Sequence, residues 1–360
     1  MISARKEALW PTFLSRKVGD LVAKLIGVDL GTSNTFMYSK MQGIIMRSPS
    51  VVAIDKHSRE VVSVGVEAKR MLGKTPEGII AFKPLVGGVI ADYDVTAKML
   101  RAFFEITNSI SLFSRPSVII SIPYGVTEVE KRAVEDATLE AGAKTVALIE
   151  SPLASAIGAG INIGQARGSM IVDIGGGTTE VAVMSLSGVV SANCLRSAGD
   201  NIDAAIVEYM RIHKNIHIGL ATAEDLKRHI GSAHPSADKG EMTIFGRTAV
   251  AGATTSRAAT ATISSEDVRL AIRGELDKIV GVILKTLKET PPELSADVYD
   301  RGMVLTGGTS LLRGIDKLIS ERTGIRVMIP KRPFESATFG IGRIIESEGA
   351  LGNLLKYRGR

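Results

Sequence analysis

Two stretches of the 360-residue chain decide its fold: residues 25–35 read LIGVDLGTSNT, and residues 170–180 read MIVDIGGGTTE. In each stretch an apolar run leads to an aspartate, Asp29 or Asp173, and then to a glycine turn that also contains threonine, with serine and asparagine in the first turn only. Short apolar runs of this kind predict buried β-strands, and glycine lets the chain turn tightly where each strand ends. The chain therefore contains the same strand–aspartate–turn unit twice.

The two turns carry groups that bind phosphate. Glycine has no Cβ, so its backbone N–H can approach a phosphate oxygen closely, and the hydroxyls of Thr32, Ser33 and Thr178 add donors. Asp29 and Asp173 would hold Mg²⁺ through water, because Mg²⁺ keeps much of its hydration. One unit alone is a weak signal, since a glycine hairpin with a solvent-facing aspartate has the same pattern. Two units in one chain favour a polyphosphate that is bound from both sides.

A third glycine turn follows another apolar strand in the second half of the chain. The predicted strand covers residues 302–305, and the turn after it reads TGGTS at residues 306–310. Its glycines suit close approach of the backbone to a nucleoside. Three strand-ended glycine turns together indicate a nucleotide-binding α/β protein.

The three turns resemble the phosphate 1, phosphate 2 and adenosine motifs of the superfamily of actin, sugar kinases and seventy-kilodalton heat-shock proteins. Within it, nearly all of residues 24–345 resembles the MreB family, including GVIADY at 88–93, VTEVEKRA at 126–133 and TPPEL at 290–294. The resemblance implies a two-lobed, actin-like α/β ATPase fold with a larger and a smaller subdomain in each lobe. It also implies ATP and Mg²⁺ as cofactors, bound in the cleft.

The resemblance assigns nucleotide-binding residues by motif position. They would be Gly31, Thr32, Ser33 and Asn34 in the first lobe, Gly175, Gly176, Gly177 and Thr178 in the second, and Gly307, Gly308, Thr309 and Ser310 at the nucleoside. Glu224 and Lys227 match a helix that lies beside the adenosine, but a solvated helix face would give the same pattern. Thr309 stands where the family usually has a third glycine, so a left-handed backbone at this position would strain it.

One position departs from the family in a way that concerns hydrolysis. Residues 150–152 read ESP, whereas MreB proteins usually read EEP and use the second glutamate to orient the attacking water. Ser151 is shorter and uncharged, and it is a poor base. We therefore expect slowed hydrolysis, because loss of a water-positioning group costs orders of magnitude in rate. Alternatively, Glu150 reaches the water, or Thr178 and Asp173 suffice.

The predicted domain organisation follows the two repeats. Residues 1–23 form an N-terminal amphipathic extension, and residues 24–165 form lobe I with a small-subdomain insertion at about 44–83. Lobe II covers residues 166–345, with an insertion at about 203–264 and a C-terminal helix that returns toward lobe I; residues 346–360 form a tail. Helices are predicted over residues 127–141 and 265–289, and a less regular structure over residues 232–262.

Two apolar segments resemble the membrane-binding parts of Gram-negative MreB proteins. Trp10, Phe13 and Leu14 fall at helical spacing beside basic residues, which is typical of a helix that lies on a membrane surface. Leu112 and Phe113 stand where an apolar membrane loop would be. The alternatives are an extension packed on its own domain and ordinary core packing. Each copy would bind the membrane weakly, but a filament presents many copies, so its total membrane binding would be strong.

Composition sets limits on location and partners. The formal net charge is +6, but basic residues form no long run with interleaved aromatics, so no nucleic-acid partner is expected. No apolar stretch reaches the roughly 20 residues of a membrane span, and the N-terminus lacks the features of a signal peptide. The single cysteine fits a reducing compartment. We expect a cytoplasmic protein at the inner face of the cell membrane.

The expected function is an ATP-binding, membrane-associated protein that polymerises into filaments and organises cell shape and cell-wall synthesis. Its partners would be copies of itself, the inner membrane surface and membrane proteins of the elongation machinery. One alternative is a specialised filament paralogue, such as a MamK-like protein that positions organelles. Another is a small-molecule kinase with the same core, but no catalytic aspartate is visible besides Asp29 and Asp173.

Overall fold

The computed structural model describes residues 25–111, 114–249, 256–347 and 351–356. These residues form two compact units. The first comprises the described residues within Met1–Ala166, Met184–Val189 and Phe334–Arg360, and the second comprises those within Arg167–Val183 and Val190–Pro333. Each unit has its own hydrophobic core.

Strands and helices alternate along much of the chain. The strands are β1 (Leu25–Leu30), β2 (Asn34–Ser39), β3 (Gly43–Pro49), β4 (Val52–Asp55), β5 (Val61–Val64), β6 (Ile79–Phe82), β7 (Leu85–Val86), β8 (Val89–Ile90), β9 (Ser117–Ile122), β10 (Thr145–Glu150), β11 (Ser169–Ile174), β12 (Thr179–Ser185), β13 (Gly188–Leu195), β14 (Glu241–Ala249), β15 (Ser256–Ser264), β16 (Met303–Thr306) and β17 (Val327–Met328). The α-helices are α1 (Gly65–Met71), α2 (Tyr93–Ile106), α3 (Glu128–Glu140), α4 (Ser151–Gly158), α5 (Gly199–His213), α6 (Leu220–His229), α7 (Ser265–Glu289), α8 (Pro292–Arg301), α9 (Ile315–Thr323) and α10 (Ser336–Glu346).

The main sheets of the two units have the same arrangement of strands. In each, the first strand in sequence lies at the centre, with the second and third strands on one side and the last two on the other. In the first unit the order is β10-β9-β1-β2-β3, with β1 antiparallel to β2 and parallel to β9. In the second unit the order is β13-β12-β11-β16-β17, with β11 parallel to β16. The central strands β1 and β11 are therefore equivalent. Each leads into one of the two predicted aspartate turns, which lie at the carboxyl ends of central strands, where ligands commonly bind in α/β sheets.

Most residues of the central strands β1 and β11 are buried. In β1, Ile26 and Val28 are almost fully buried and belong to a core that includes Phe103 and Phe104 of α2. In the second unit, Met170, Val172 and Ile174 of β11 belong to a core that includes the apolar face of α7. Core packing therefore fixes the position of both central strands, which lead directly into the two turns.

Helices α4 and α10 cross in direct backbone contact. A Cβ added at Gly158 would lie 1.8 Å from the carbonyl oxygen of Ser336, and one added at Gly340 would lie 1.8 Å from that of Ala154. Real Cβ atoms do not approach so closely, so both positions require glycine. This crossing packs α10 closely against the helix that begins with Ser151.

The predicted helices at 127–141 and 265–289 are confirmed as α3 and α7, and both begin with a capping box. The prediction of a less regular structure over residues 232–262 is wrong for residues 241–249 and 256–262, because β14 and β15 form a regular antiparallel hairpin there. Ile244 and Ile263 of this hairpin are buried, but the rest of β15 is mostly alanine, threonine and serine, so the apolar alternation is weak in the sequence.

The residues predicted to contact a membrane lie outside the described residues. These are Trp10, Phe13 and Leu14 near the N-terminus, and Leu112 and Phe113 after α2. Within the described ranges, no helix is long and apolar enough to cross a membrane.

Candidate functional site

The first turn joins β1 to β2, and its carbonyl groups are held from one side. Gly31 N–H donates to the carbonyl of Asn34 at 3.1 Å. The Ser50 hydroxyl donates to the carbonyl of Gly31 at 2.7 Å, and Ser50 N–H donates to the carbonyl of Ser33 at 3.1 Å. Within a trans peptide the C=O and the next N–H point in opposite directions. The N–H groups of Thr32 and Asn34 therefore point away from Ser50.

The hydroxyls of the first turn accept hydrogen bonds from a segment that follows β6. Thr32 Oγ1 accepts from the backbone N–H of Gly88 at 2.9 Å, and Ser33 Oγ accepts from Lys83 Nζ at 3.1 Å. Both hydroxyl oxygens thus act as hydrogen-bond acceptors toward this segment. In the sequence, the only signal for Lys83 is its position five residues before Gly88.

The second turn joins β11 to β12 and is held in a similar way by helix α5. Gly175 N–H donates to the carbonyl of Thr178 at 2.9 Å. The carbonyl of Gly175 accepts from Gly199 N–H at 3.2 Å, and that of Gly176 accepts from Asp200 N–H at 2.8 Å. By the same peptide geometry, the N–H groups of Gly176 and Gly177 point away from the start of α5. Both turns thus present N–H groups on the side opposite their supports.

The third turn follows β16 and packs directly on the second. Gly307 has φ +85°, and a Cβ there would lie 2.3 Å from the carbonyl oxygen of Ile174 and 2.6 Å from Asp173 Oδ1. Thr309 lies in a short 3₁₀ turn and is not among the residues with positive φ, so the strain considered for it does not arise. Its hydroxyl donates to the carbonyl of Gly175 at 2.7 Å, while that of Ser310 donates to Gly307 at 2.6 Å.

The aspartate of the first unit is held by two hydroxyls. Asp29 Oδ1 accepts from Ser121 at 2.7 Å, and its Oδ2 accepts from Thr338 at 3.4 Å. Ser121 lies near the end of β9, which pairs with β1, and its oxygen also accepts from Leu30 N–H at 3.3 Å. The carboxylate is therefore fixed at the end of the central strand.

Ser151 and Glu150 both have partners in the first unit. Ser151 is the first residue of α4, and its hydroxyl donates to the carbonyl of Ile122 at 3.0 Å. The Glu150 carboxylate forms an ion pair with Lys356, whose backbone also exchanges two hydrogen bonds with Leu148. The proton of Ser151 and an oxygen of Glu150 are thus already used within the protein.

Lys227 lies between α5 and α6 rather than on a solvated face. Its Nζ is 2.7 Å from Asp203 Oδ1 and 2.9 Å from the carbonyl of Gly199. Burial raises the pKa of Asp203 to about 6, although Lys227 opposes this shift. Glu224, one turn earlier on α6, is partly buried. Sequence reasoning missed Asp203, which ties this helix to the support of the second turn.

Comparison with known proteins places these features in a family. The family model described as MreB/Mbl protein matches residues 23–353. The chain belongs to the MreB/Mbl family. The resemblance stated from the sequence is confirmed, and the chain is an actin-like cytoskeletal protein. The small-molecule kinase considered as an alternative is not supported.

Relatives of this family match over nearly their whole length. The cell shape-determining protein MreB of Escherichia coli is 44% identical over 337 residues, which covers 92% of this chain and 96% of the relative. The cell shape-determining protein Mbl of Bacillus subtilis is 42% identical over 327 residues, with 91% and 97% covered.

Solved structures confirm the actin-like α/β fold. MreB5 of Spiroplasma citri, solved bound to ADP and bound to AMPPNP, matches with a TM-score of 0.86 at 33% identity, covering 92% of this chain and 99% of that one. The MamK double helical filament matches with a TM-score of 0.75 at 23% identity, covering 90% and 98%. The MamK likeness concerns the fold alone.

Proposed function

We propose that the chain binds ATP and polymerises into membrane-associated filaments that organise cell shape and cell-wall synthesis. The observation that supports nucleotide binding is the common design of the first two turns. In each, supports on one side hold two carbonyls, so that the N–H groups of the residues that follow them face the other way. Oriented N–H groups of this kind bind anions. The Spiroplasma citri relative has been solved with ADP and with AMPPNP, which agrees with this proposal.

A backbone substitution in the first turn tests ATP binding. A Cβ at Gly31 would lie 2.7 Å from the carbonyl oxygen of Asn34, so Gly31→Ala distorts the turn. We expect ATP affinity, measured by titration calorimetry, to fall at least about tenfold, the equivalent of one charge-assisted hydrogen bond. Gly78→Ala, where no atom lies within 4 Å, is the matched control. Equal ATP affinity in both variants would contradict the assignment.

Mg²⁺ would be bound by Asp29 and Asp173, each at the end of its central strand. The donors fit this ion: Asp29 is a carboxylate supported by two neutral hydroxyls. Among the described residues there is no cluster of three or more histidine, cysteine or carboxylate groups that could hold a metal. This is compatible with Mg²⁺, which is usually bound by one or two carboxylates together with water and substrate phosphates. When bound, the ion would neutralise phosphate charge.

Hydrolysis should be slow because Ser151 cannot act as a base and its proton is already donated to Ile122. The Ser151 oxygen could accept a hydrogen bond from an attacking water, but it could not take up the proton of that water. Glu150 is paired with Lys356, which disfavours its use as a substitute. Thr178 donates its hydroxyl proton to Glu180 at 3.1 Å, so it too is limited to accepting. These contacts support slowed turnover over the alternatives.

Phosphate release from the purified chain tests slow hydrolysis. We expect Ser151→Glu to raise the rate by about tenfold or more, because it restores a carboxylate at the start of α4. Ser151→Ala should leave the rate within a few-fold of the unaltered chain, since a serine supplies no base. A rate that falls in Ser151→Glu, while ATP is still bound, would refute the role of this position.

Self-assembly and membrane contact are proposed from family membership and from the sequence. Residues 5–22 and the pair Leu112 and Phe113 would contact the inner membrane surface. Ser111 and Ser114, which flank that pair, exchange two backbone hydrogen bonds at 2.9 and 3.3 Å. Membrane proteins of the elongation machinery would be further partners.

Sedimentation with and without liposomes tests both parts. We expect the chain to pellet with ATP, and to pellet with anionic liposomes at concentrations where it does not pellet alone. Deletion of residues 1–22 should reduce liposome pelleting while polymerisation with ATP is kept. Undiminished liposome binding of this deletion would exclude the N-terminal segment as the membrane contact.

A further inference from the structure

The C-terminal segment, residues 351–356, covers part of the outer edge of the first main sheet. Strand β10 is the outermost strand of this sheet and pairs with β9 on its inner side. Leu148 of β10 exchanges two backbone hydrogen bonds with Lys356, at 2.8 and 2.7 Å, and the preceding Leu355 is buried. An edge strand otherwise presents unpaired N–H and C=O groups. The segment is therefore bound to β10 by backbone pairing.

The same contact places a positive charge beside Glu150. The Lys356 ammonium forms an ion pair with the Glu150 carboxylate, and the two side chains are 48% and 15% exposed. The N–H and C=O of Leu148 that bind Lys356 point away from β9, because both groups of one residue lie on the same side of a strand. The ion pair therefore draws the carboxylate toward the outside of the sheet, away from β9 and the central strand β1.

Glu150 lies at the end of the sheet where the first turn begins. It is the last residue of β10 and pairs in register with Ile122 of β9, which directly follows Ser121, the donor to Asp29. Adjacent strands lie about 4.8 Å apart, so β10 is roughly 10 Å from β1. A glutamate side chain and one hydrogen-bonded water together span this distance. The direction of the side chain thus decides whether Glu150 can serve an attacking water.

We infer that Lys356 is a positioning residue that restrains Glu150, and that the C-terminal segment thereby slows ATP hydrolysis. Lys356 lies outside residues 23–353, which the family model matches, so family membership does not imply this restraint. The inference rests on the proposed ATP binding and hydrolysis.

Release of Glu150 supplies the base that Ser151 lacks. The oxygen of the attacking water bonds to the terminal phosphorus of ATP, while a proton of that water passes to Glu150. The bond between this phosphorus and the bridging oxygen breaks, and ADP leaves with the bonding electrons. Glu150 then gives its proton to solvent. In the ion pair the carboxylate faces Lys356 instead, which hinders this proton transfer.

Substitutions at Lys356 and Glu150 test the restraint by phosphate release at saturating Mg²⁺-ATP. Lys356→Met removes the charge but keeps the backbone pairing, and we expect the rate to rise about threefold, as fits a half-exposed ion pair. Lys356→Arg keeps the pair and should keep the slow rate. Adding Glu150→Gln to Lys356→Met should abolish the gain. Lys144→Met is the matched control, because Lys144 is an exposed lysine just before the opposite end of β10.

Salt separates this restraint from a merely structural role of Lys356. Salt screens a half-exposed ion pair, so the rate of Lys356→Met relative to the unaltered chain should approach one as the salt concentration is raised. Sedimentation and calorimetry check that assembly and ATP affinity are unchanged. Equal rates in Lys356→Met and the unaltered chain, or a gain that persists with Glu150→Gln, would overturn the inference while ATP binding stands. If the unaltered chain binds no ATP, the proposed function fails as well.

Discussion

The buried ion pair beside the second turn predicts a specific dependence of stability on pH. Asp203 is 8% exposed and faces Lys227 at 2.7 Å, and burial raises its pKa from 3.8 to about 6. The folded chain therefore binds a proton at Asp203 more tightly than the unfolded chain does. Between pH 4 and 6 the folded state holds more protons at this site, so the contribution of Asp203 to stability is fully present below pH 4. It is lost as the pH rises through about 6.

The size of this effect follows from the shift in pKa. A tenfold change in an equilibrium constant is worth about 1.4 kcal/mol, so the rise from 3.8 to about 6 corresponds to about 3 kcal/mol. Asp203→Asn removes the titration but keeps an oxygen for Lys227. From pH 4 to pH 7, the unfolding free energy of the unaltered chain minus that of the variant should therefore fall by about 2 kcal/mol, the part of the full difference that lies within this pH range.

Urea unfolding of both proteins at several pH values, without nucleotide and at low protein concentration, measures this difference. Asp225→Asn is the matched control, because Asp225 is an exposed carboxylate on the same helix as Lys227. Its unfolding free energy should stay close to that of the unaltered chain, because the side chain is exposed. A difference for Asp203→Asn that stays constant from pH 4 to pH 7, or that grows with pH, would refute the reasoning. A direct NMR titration of Asp203 with a midpoint below 4 would refute it as well.

Two further substitutions test the supports of the site. Gly340→Ala would place a Cβ 1.8 Å from the carbonyl oxygen of Ala154, so α4 and α10 must separate. We expect a loss of about 3 kcal/mol or more in urea unfolding, at or above the upper end for overpacked sites, and a loss below about 0.5 kcal/mol would contradict the crossing. Thr309→Val removes the donor to the carbonyl of Gly175 and should lower stability by about 1 kcal/mol and ATP affinity a few-fold. Unchanged values in both assays would show that this hydrogen bond does not support the second turn.

The sequence predicted the parts of the fold that depend on local pattern. An apolar run followed by Asp29 and a glycine turn needs only neighbouring residues to be recognised, and long amphipathic helices such as α7 show their period and caps directly. The family resemblance then supplied the actin-like architecture. What the sequence could not reveal was contact between distant residues. Ser50 supports Gly31 from nineteen positions away, and Lys83 reaches Ser33 across fifty. No local sequence pattern marks Ser50 or Lys83 for these contacts.

The two repeats have similar sequences but different supports, and this decides how each turn can be altered. The first turn depends in part on side chains, because the Ser50 hydroxyl holds a carbonyl and Lys83 and Gly88 hold its hydroxyls. The second turn depends mainly on backbone N–H groups at the start of α5, with Thr309 as the added side-chain donor. A side-chain hydrogen bond is removed by one substitution, whereas a helix N-terminus keeps its N–H groups after any substitution except proline. The first turn is therefore the one that single side-chain changes can readily adjust. Ser151, where the chain departs from the family sequence in a way that concerns hydrolysis, lies in the same unit as the first turn.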